Sequence, residues 1–354
     1  FKACKNPDKI NAGIGMVMDH KRAFVPRTIR DMGLQVAFRD TGYLSPTGHL
    51  EYLDLHAKHL IFGEELWKGL GGLNKVVAAQ TIGGTGSLYV ASEFLNEVLT
   101  EEKRNLLLDP GWANHKNIFA KIDNTPTTYI HEDAETREYN HKGYLEVLNN
   151  HPEGCPVLLQ VAGYNDDGSE RNKAQWDQIA NIIEEKKHIP ILDFAYNGLV
   201  NGFGEDNYAI KEFTKKGIPS IICVSNSKNA GMYNMRLGGF YLVNIAQQQR
   251  DNIQGFIANK KIRGVWSNPN ALPAATMAEV LKDEEKRSQF INEINERIVD
   301  DILDYNKNKL AEILGNDFQW ITKKGGIFFK LIYEGFTTEQ VNFLRNEKFI
   351  FCPQ

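Results

Sequence analysis

Two stretches decide the fold: Ile189-Pro-Ile-Leu-Asp-Phe-Ala-Tyr196 and Ile218-Pro-Ser-Ile-Ile-Cys-Val-Ser-Asn-Ser-Lys-Asn229. Each contains a short apolar run, and a charged segment at residues 206–216 separates them. Short apolar runs bounded by polar residues are typical of buried strands, and the charged segment has helical character. A strand, a helix and another strand in this order predict neighbouring strands of a parallel sheet.

The same alternation extends towards the amino terminus. Strands are predicted at residues 76–80, 105–109, 127–131 (the weakest of them) and 156–161, and helices at residues 85–100 and 173–187. This pattern predicts an α/β fold with a mostly parallel sheet covered by helices on both faces. Right-handed crossovers place the carboxyl ends of such strands at one edge, where ligands bind.

The pattern changes after Asn270. Residues 282–314 predict a long, charged helix with one apolar stripe, followed by short strands at 318–322 and 326–332 and a helix at 337–347. We expect a large domain over residues 24–296, which carries the ligand-binding edge of the sheet. A smaller α+β domain would combine residues 1–23 with 297–354.

Composition excludes several classes of protein. The chain has 354 residues, of which 42% are hydrophobic and 24% charged, so it is not intrinsically disordered. No apolar run approaches the roughly 18 residues of a membrane-spanning helix, and a net charge of −4 offers no basic field for nucleic acid or anionic membranes. Four widely spaced cysteines favour neither a zinc site nor a disulfide scaffold, and they predict a cytoplasmic protein without a metal.

Two polar motifs could bind an anion. Gly83-Gly-Thr-Gly86 lies between a predicted strand and a helix, where backbone N–H groups favour negative charge. It lacks the third glycine of a dinucleotide-binding motif, and a plain tight turn is the alternative. Ser225-Asn-Ser-Lys-Asn229 directly follows a buried strand, with Arg236 as a two-pronged phosphate donor. Lys228 is a candidate Schiff-base nucleophile, although an isolated lysine is usually a solvated surface residue.

Three further signals lie at predicted strand ends. Asp193 ends an apolar strand and needs a partner there, unless it caps a helix or turn. Asn165 lies in a segment that also fits an ordinary turn, and Trp112 and His115 could be packed core residues. Together the five signals supply a phosphate site, an amine, a carboxylate, an aromatic ring and an amide at one edge. Those groups are the ones that bind pyridoxal phosphate.

At this point the sequence resembles the aspartate aminotransferase family over essentially its whole length. The stretches that carry the resemblance are Thr81-Ile-Gly-Gly-Thr-Gly-Ser87, Pro110-Gly-Trp-Ala-Asn-His115, Asp193-Phe-Ala-Tyr-Asn-Gly198, Ser225-Asn-Ser-Lys-Asn229 with Tyr233-Asn-Met-Arg236, and Arg263-Gly-Val-Trp-Ser-Asn-Pro269. The resemblance implies a fold type I enzyme that uses pyridoxal 5′-phosphate. It also implies a homodimer whose active sites lie at the subunit interface.

The resemblance also implies a role for individual residues. Lys228 would bind the cofactor as an imine and move the proton between the substrate Cα and the cofactor C4′. Asp193, oriented by His115, would keep the pyridine nitrogen protonated. Trp112 would stack on the ring, while Tyr196 and Asn165 would bond its phenolic oxygen.

Further implied contacts concern the phosphate and the substrate. The phosphate contacts would be Gly84, Thr85, Ser225, Ser227 and Arg236, with Tyr43 of the partner subunit. Ile14 and Gly15 would lie along the substrate, beside Trp112 and Asn165. Arg263, again from the partner, would pair with the distal carboxylate. The family's arginine for the α-carboxylate lies in a strand past the position of Gln354.

Some positions depart from the family pattern. Asn165-Asp-Asp-Gly168 stands where the family usually has Asn-Pro-Thr-Gly, and Gly83 stands where a serine is common. Asn226 and Ala230 replace residues that are usually aromatic. These departures concern loop shape and substrate range more than the type of reaction.

The expected function is transfer of an amino group between aspartate or glutamate and a 2-oxo acid by a ping-pong mechanism. An aromatic-amino-acid aminotransferase shares the same motifs and is the nearest alternative. A decarboxylase on this fold remains open, because a lysine-bound cofactor serves many carbanion reactions. A non-enzymatic ligand sensor is less favoured, because the chain shows no basic helix-turn-helix pattern.

Overall fold

The computed structural model describes residues 4–11, 15–19, 22–136, 138–165, 168–314, 319–320, 327–328, 331–332, 337–348 and 350–351. Its strands, in chain order, are β1 (Ile10–Asn11), β2 (Met18–Asp19), β3 (Arg22–Ala23), β4 (Val77–Ile82), β5 (Leu107–Leu108), β6 (Pro156–Gln160), β7 (Ile189–Phe194), β8 (Ser220–Ser225), β9 (Leu237–Val243), β10 (Gln319–Trp320), β11 (Leu331–Ile332) and β12 (Ile350–Phe351).

The helices alternate with the strands of the large sheet. The α-helices are α1 (Arg27–Val36), α2 (Leu50–His56), α3 (Glu64–Gly69), α4 (Gly83–Val98), α5 (Asn114–Phe119), α6 (His141–Asn150), α7 (Lys173–Glu185), α8 (Phe203–Asp206), α9 (Tyr208–Lys215), α10 (Gln247–Phe256), α11 (Ala271–Lys282), α12 (Glu284–Glu293), α13 (Tyr305–Leu314) and α14 (Thr338–Glu347). Shorter 3₁₀ turns lie at Gly72–Asn74 and Glu101–Lys103, and π-helical turns at Ala57–Ile61, Ile257–Ile262 and Ile294–Asp304. Among the described residues no helix combines the length and apolar character needed to cross a bilayer.

A six-stranded sheet in the order β4-β9-β8-β7-β6-β5 forms the centre of the molecule. Strands β5 to β8 pair in parallel, while β9 is antiparallel to both of its neighbours, β4 and β8. Strand β4 therefore runs in the same direction as β5 to β8, and all five carboxyl ends lie at one edge. The predicted α/β fold with a mostly parallel sheet is confirmed.

Both faces of this sheet are buried. Ile191 and Ile221 belong to the apolar cluster that contains α4, while the next residues along the two strands, Leu192 and Ile222, belong to the cluster that contains α7 and α9. Successive side chains of a strand point to opposite faces, so a strand covered on both sides needs apolar residues at every position. This requirement explains why the strands read as continuous apolar runs.

Two parts of the sheet differ from the sequence-based prediction. Residues 127–131 do not form a strand: the segment exchanges backbone hydrogen bonds with β5 only at Thr127, and the Tyr129 hydroxyl then turns inward to Asp109. Strand β9 was not predicted, because Gly238 and Gly239 interrupt its apolar pattern. A side chain at Gly238 would overlap the backbone of Gly83, so the glycine allows α4 to begin close to β9.

The second predicted unit is partly described. The expected long helix is continuous from α12 through the π-helical turn to α13. Strand β1 pairs in parallel with β12, so segments near the two ends of the sequence meet. The domain boundaries at residues 23–24 and 296–297 stay a prediction.

Candidate active site

A cavity of about 90 Å³ lies at the carboxyl edge of the sheet. Its walls contain most of the residues that the sequence predicted for one chain: Gly84, Thr85, Trp112, Asn165, Asp193, Tyr196, Ser225, Ser227, Lys228 and Arg236. Leu88, Gln160 and Ala195 complete the lining. The structure therefore brings together ten predicted residues that are spread over about 150 residues of sequence.

Asp193 and His115 form a buried pair behind this cavity. Asp193 lies near the end of β7, and its Oδ2 is 2.8 Å from Nε2 of His115. The histidine is completely buried and the aspartate is 6% exposed. A carboxylate is costly to bury without a partner, and the imidazole supplies one. The pair therefore holds a carboxylate at a fixed place in the wall of the cavity.

Lys228 brings an amine to the same cavity. Its Nζ lies 5.3 Å from the centre of the Tyr196 ring. Burial lowers the pKa of the Lys228 amine below its usual value; the Asp193 carboxylate opposes this effect, and Arg236 reinforces it. A lowered pKa leaves more of the amine unprotonated at neutral pH, which is the form that attacks a carbonyl carbon.

An anion site lies beside the amine. Helix α4 begins at Gly83 without a side-chain cap, so the N–H groups of its first turn are available to a ligand. Ser225 and Ser227 lie across from it, and the Ser227 N–H donates to Ser225 Oγ at 3.2 Å. Arg236 adds a guanidinium. One guanidinium, two hydroxyls and a helix N-terminus match a phosphate dianion.

Gly83 makes room for this guanidinium. Its backbone has φ = 76°, and a Cβ atom there would overlap the Arg236 guanidinium group. Arg236 donates to the carbonyl oxygen of Tyr233 at 2.9 Å and reaches that of Ile82 at 3.4 Å. The missing serine hydroxyl at position 83 is therefore accompanied by a close approach of arginine to the start of α4.

Asn165 and Tyr196 form another part of the cavity wall. The Asn165 side-chain amide donates to Tyr196 Oη at 2.7 Å. Burial raises the pKa of Tyr196, although the Asn165 hydrogen bond acts in the other direction. Tyr196 therefore keeps its proton at neutral pH and can donate it in a hydrogen bond. Trp112 packs edge-on against His115, with the ring centres 4.9 Å apart, which fixes its ring next to the buried pair.

Besides His115, which lies behind the cavity, three predicted residues do not line the cavity of a single chain. Tyr43 is 94% exposed, and Arg263 is exposed at the end of the π-helical turn Ile257–Ile262. Gly15 lies next to Phe328, whose ring in turn packs edge-on against Tyr196. Ile14, Asp166 and Asp167 lie outside the described residues.

Gln160 is the most informative lining residue that the sequence analysis missed. It is the last residue of β6, it is buried, and it pairs in register with Asp193. A signal existed, because Gln160 is a polar residue at the end of an apolar run, just as Asp193 is.

The combined geometry defines a class of protein. An amine of lowered pKa, a buried carboxylate and a phosphate site surround one cavity next to an indole ring. These donors fit a phosphorylated pyridine aldehyde such as pyridoxal phosphate: the amine suits its carbonyl carbon and the carboxylate its ring nitrogen. The site is that of a pyridoxal-phosphate enzyme.

Comparison with known proteins agrees with this class. Residues 8–354 match the family model described as aminotransferase class I and II. An aspartate aminotransferase from Haemophilus influenzae is 30% identical over 99% of this chain and 88% of its own length. One from Escherichia coli is 32% identical over 98% of this chain and 87% of its own. The chain belongs to the aminotransferase class I and II family, and the predictions of this family and of an enzyme are confirmed.

Solved structures support the same conclusion. An aromatic-amino-acid aminotransferase from Burkholderia pseudomallei, covalently bound to pyridoxal phosphate, aligns with a TM-score of 0.88 at 28% identity, covering 99% of this chain and 88% of that one. A mitochondrial aspartate aminotransferase from Trypanosoma brucei aligns with a TM-score of 0.86 at 26% identity, covering 99% and 91%. The fold type I prediction is confirmed, and so is pyridoxal 5′-phosphate as the cofactor of this family.

Proposed function

We propose that this protein is a pyridoxal-phosphate-dependent transaminase that moves an amino group between aspartate or glutamate and a 2-oxo acid. The observation that carries the proposal is the single cavity that joins Lys228, the Asp193–His115 pair and the anion site. Relatives named aspartate aminotransferase, about 30% identical over nearly the whole chain, support the choice of substrate. A ping-pong mechanism follows from an amino group that is stored on the enzyme between two half-reactions.

The cofactor supplies an electron sink for the carbanion that forms at the substrate Cα. The chain supplies everything that positions this chemistry. Asp193 would hold a proton on the pyridine nitrogen, and His115 fixes the orientation of the carboxylate. Lys228 would be the amine that holds the cofactor, and its lowered pKa would let the free amine accept a proton from the substrate Cα. Tyr196 and Asn165 would donate hydrogen bonds to the phenolic oxygen, while Arg236, Ser225, Ser227 and the start of α4 would bind the phosphate.

A half-reaction tests this function. We expect an amino acid alone, without any 2-oxo acid, to convert the bound cofactor from its aldehyde to its amine form in one stoichiometric turnover. The change is measured by absorbance, and the released 2-oxo acid is quantified. A ligand sensor would bind the amino acid without releasing 2-oxo acid, and a decarboxylase would release carbon dioxide instead. Either result contradicts the proposal.

The aromatic alternative has its own support, since a solved aromatic-amino-acid aminotransferase is among the structural relatives. The same half-reaction separates the two when aspartate, glutamate and phenylalanine are compared as donors. We expect the dicarboxylic donors to react with the larger second-order rate constant. A higher constant for phenylalanine would replace the substrate proposal while leaving the transaminase proposal intact.

We also propose a homodimer with shared active sites. Tyr43 and Arg263 are both exposed in the single chain. The family resemblance nevertheless implies that Tyr43 binds the cofactor phosphate and that Arg263 binds the substrate. Exposed Leu34 and Phe38 lie close to Tyr43 in sequence and offer apolar area for a second copy to cover. In a twofold dimer, a residue of each chain can complete the site of the other.

Mixed dimers test the sharing of sites. We expect chains carrying Lys228→Ala and chains carrying Arg263→Ala to be inactive or weak as separate homodimers. In the mixed dimer, one site combines both substitutions and the other combines an intact Lys228 with an intact Arg263. We expect the mixed dimer to regain about half of the wild-type activity per dimer, because one of its two sites is complete. Mixtures that stay inactive after subunit exchange, verified by differently tagged chains, would contradict the shared site.

The domain boundaries and the cellular location also remain proposals. We place the large domain at residues 24–296 and the small domain at 1–23 with 297–354, and the pairing of β1 with β12 supports this grouping.

We also propose a cytoplasmic location, which the separate, unpaired cysteines Cys4, Cys155 and Cys223 support. A mitochondrial relative from Schizosaccharomyces pombe makes that organelle the alternative, and fractionation of the source cells separates the two.

A further inference from the structure

Gln160 connects the two loops that carry the aromatic ring and the amide of the site. Its Nε2 donates to the Pro110 carbonyl oxygen at 2.9 Å, and its Oε1 accepts from the Asn165 N–H at 3.1 Å. Trp112 follows two residues after Pro110, and Asn165 itself bonds Tyr196. One side-chain amide therefore uses both its donor and its acceptor to link these loops.

A buried ion pair fixes the backbone of Gln160, from which this side chain extends. The Gln160 N–H donates to Asp109 Oδ2 at 2.8 Å, and Arg171 donates to the Gln160 carbonyl oxygen at 3.2 Å. Arg171 and Asp109 in turn pair at 2.8 Å, and both are almost completely buried. The Tyr129 hydroxyl also binds Asp109 at 3.0 Å. Buried networks in which the polar atoms find partners hold their members in one arrangement.

The register of the sheet places this linkage beside the reacting centre. Gln160 on β6 pairs with Asp193 on β7, so the residue that links the loops is the direct neighbour of the buried carboxylate. The Tyr164 hydroxyl donates to the same Pro110 carbonyl, which gives that oxygen two donors. Gln160 is the one of these contacts that joins the Trp112 loop directly to the Asn165 backbone.

We infer that Gln160 is a positioning residue of the active site, a role that rests on the proposed function. Gln160 holds the Trp112 loop and the Asn165 loop at a fixed separation, so that the indole and the Asn165 amide would both reach a cofactor whose ring nitrogen pairs with Asp193. A side chain here needs a donor and an acceptor at glutamine's reach. Displacing a reacting group by about 1 Å can lower the rate about 100-fold.

Two variants test this inference. Gln160→Met keeps the length of the side chain and removes both hydrogen bonds, whereas Gln160→Asn keeps the amide and shortens its reach by one methylene. We expect each to lower kcat/KM by about 10- to 100-fold, mainly through kcat. We also expect each to weaken the binding of pyridoxal phosphate to the apoprotein, measured by equilibrium titration. Gln160→Asn decides the matter alone if Gln160→Met does not fold.

Gln254 offers a matched control. Its amide also uses both atoms, donating to the Ala78 carbonyl oxygen at 2.9 Å and accepting from the Ala78 N–H at 3.0 Å. Ala78 lies near the amino end of β4, at the edge of the sheet opposite the cavity. Gln254→Met should lower the melting temperature without changing cofactor affinity or kcat. Equal effects of Gln254→Met and Gln160→Met on cofactor affinity would overturn the inference.

A double-mutant cycle separates positioning from general destabilisation. In a Trp112→Phe background, Gln160→Met should lower kcat much less than it does in the wild type. Both changes disturb the same contact, that between the side chain of residue 112 and the bound cofactor ring. Additive losses would contradict the inference. The cofactor titration needs no turnover, so it reports on Gln160 even if the half-reaction shows that the proposed substrate or reaction is wrong.

Discussion

Lys228→Ala is expected to abolish catalysis while leaving the fold intact. Loss of a positioned acid–base group alone lowers a rate by about 10²–10⁴-fold, and loss of the covalent attachment adds to this. Borohydride treatment of the wild-type holoenzyme should fix the cofactor to Lys228 and to no other residue, as read out by peptide mapping. The variant should show no fixed cofactor.

The environment of the amine gives the reason. Lys228 follows directly on Ser227 of the anion site and lies over the Tyr196 ring, and its burial lowers its pKa. Surface lysines in the described part of the chain lack this combination of a phosphate site, a carboxylate and a desolvated amine. The anion site would therefore hold the cofactor by its phosphate, with the aldehyde carbon of the cofactor next to this one amine.

Two further variants make the result interpretable. Lys215→Ala removes an exposed lysine on α9 and should keep wild-type activity and labelling. Lys228→Arg keeps a positive charge next to Asp193, but its guanidinium stays protonated and cannot form the bond. It should fold, bind phosphate and remain inactive. Labelling of a different lysine in the wild type would overturn the assignment.

Much of the fold could be predicted because it is encoded locally. Runs such as Ile221 to Val224 are apolar at every position, since both faces of the sheet are buried, and this signal does not depend on the rest of the chain. Strand β9 could not be found in this way. Gly238 allows close packing against the start of α4, a requirement set by a contact about 150 residues away.

The site residues also differ in whether local sequence or a tertiary contact explains them. Lys228, Asp193 and Asn165 each stand at the end of a predicted strand, so parallel topology was enough to bring them together. Gln160 stands at such an end too, but its importance lies in two backbone partners that only the folded loops supply. The reason for Gly83 was also hidden, because it depends on where the Arg236 guanidinium lies.

The roles of Tyr43 and Arg263 could not be predicted from local sequence patterns for a different reason. Neither follows a strand of the large sheet, and neither reaches the cavity within one chain. Their expected roles came only from the family resemblance, because a contribution from a second copy leaves no periodicity or spacing in the sequence. Their test must therefore be functional, and substrate choice offers the sharpest one.

Arg263→Ala is expected to lower kcat/KM for aspartate by roughly 30-fold to several thousand-fold. Truncating one side of a charge-assisted pair in a closed site costs about 2–5 kcal/mol. At tenfold per 1.36 kcal/mol, that cost gives the stated range. Glutamate should lose a similar factor, whereas phenylalanine should lose much less, because its side chain offers no carboxylate to the guanidinium.

The structure supports an available guanidinium at this position. Arg263 ends a π-helical turn that is anchored through its backbone N–H to the Ala258 carbonyl oxygen at 2.9 Å, and its side chain is exposed. The neighbouring Lys261 is engaged with Glu93 and Glu97, so it is not an equivalent cation. A planar guanidinium fork can bind a carboxylate through two parallel hydrogen bonds.

Arg263→Lys refines the test, because it keeps the charge and loses the fork. It should retain part of the preference for dicarboxylic donors and fall between wild type and Arg263→Ala. Steady-state kinetics with aspartate, glutamate and phenylalanine on the three proteins measure the ratio of donors directly. Equal losses for all three donors would mean that Arg263 supports the fold or the dimer and does not read the distal carboxylate. The aromatic alternative would then become the better account of the substrate, since the sequence offers no other assigned partner for that carboxylate.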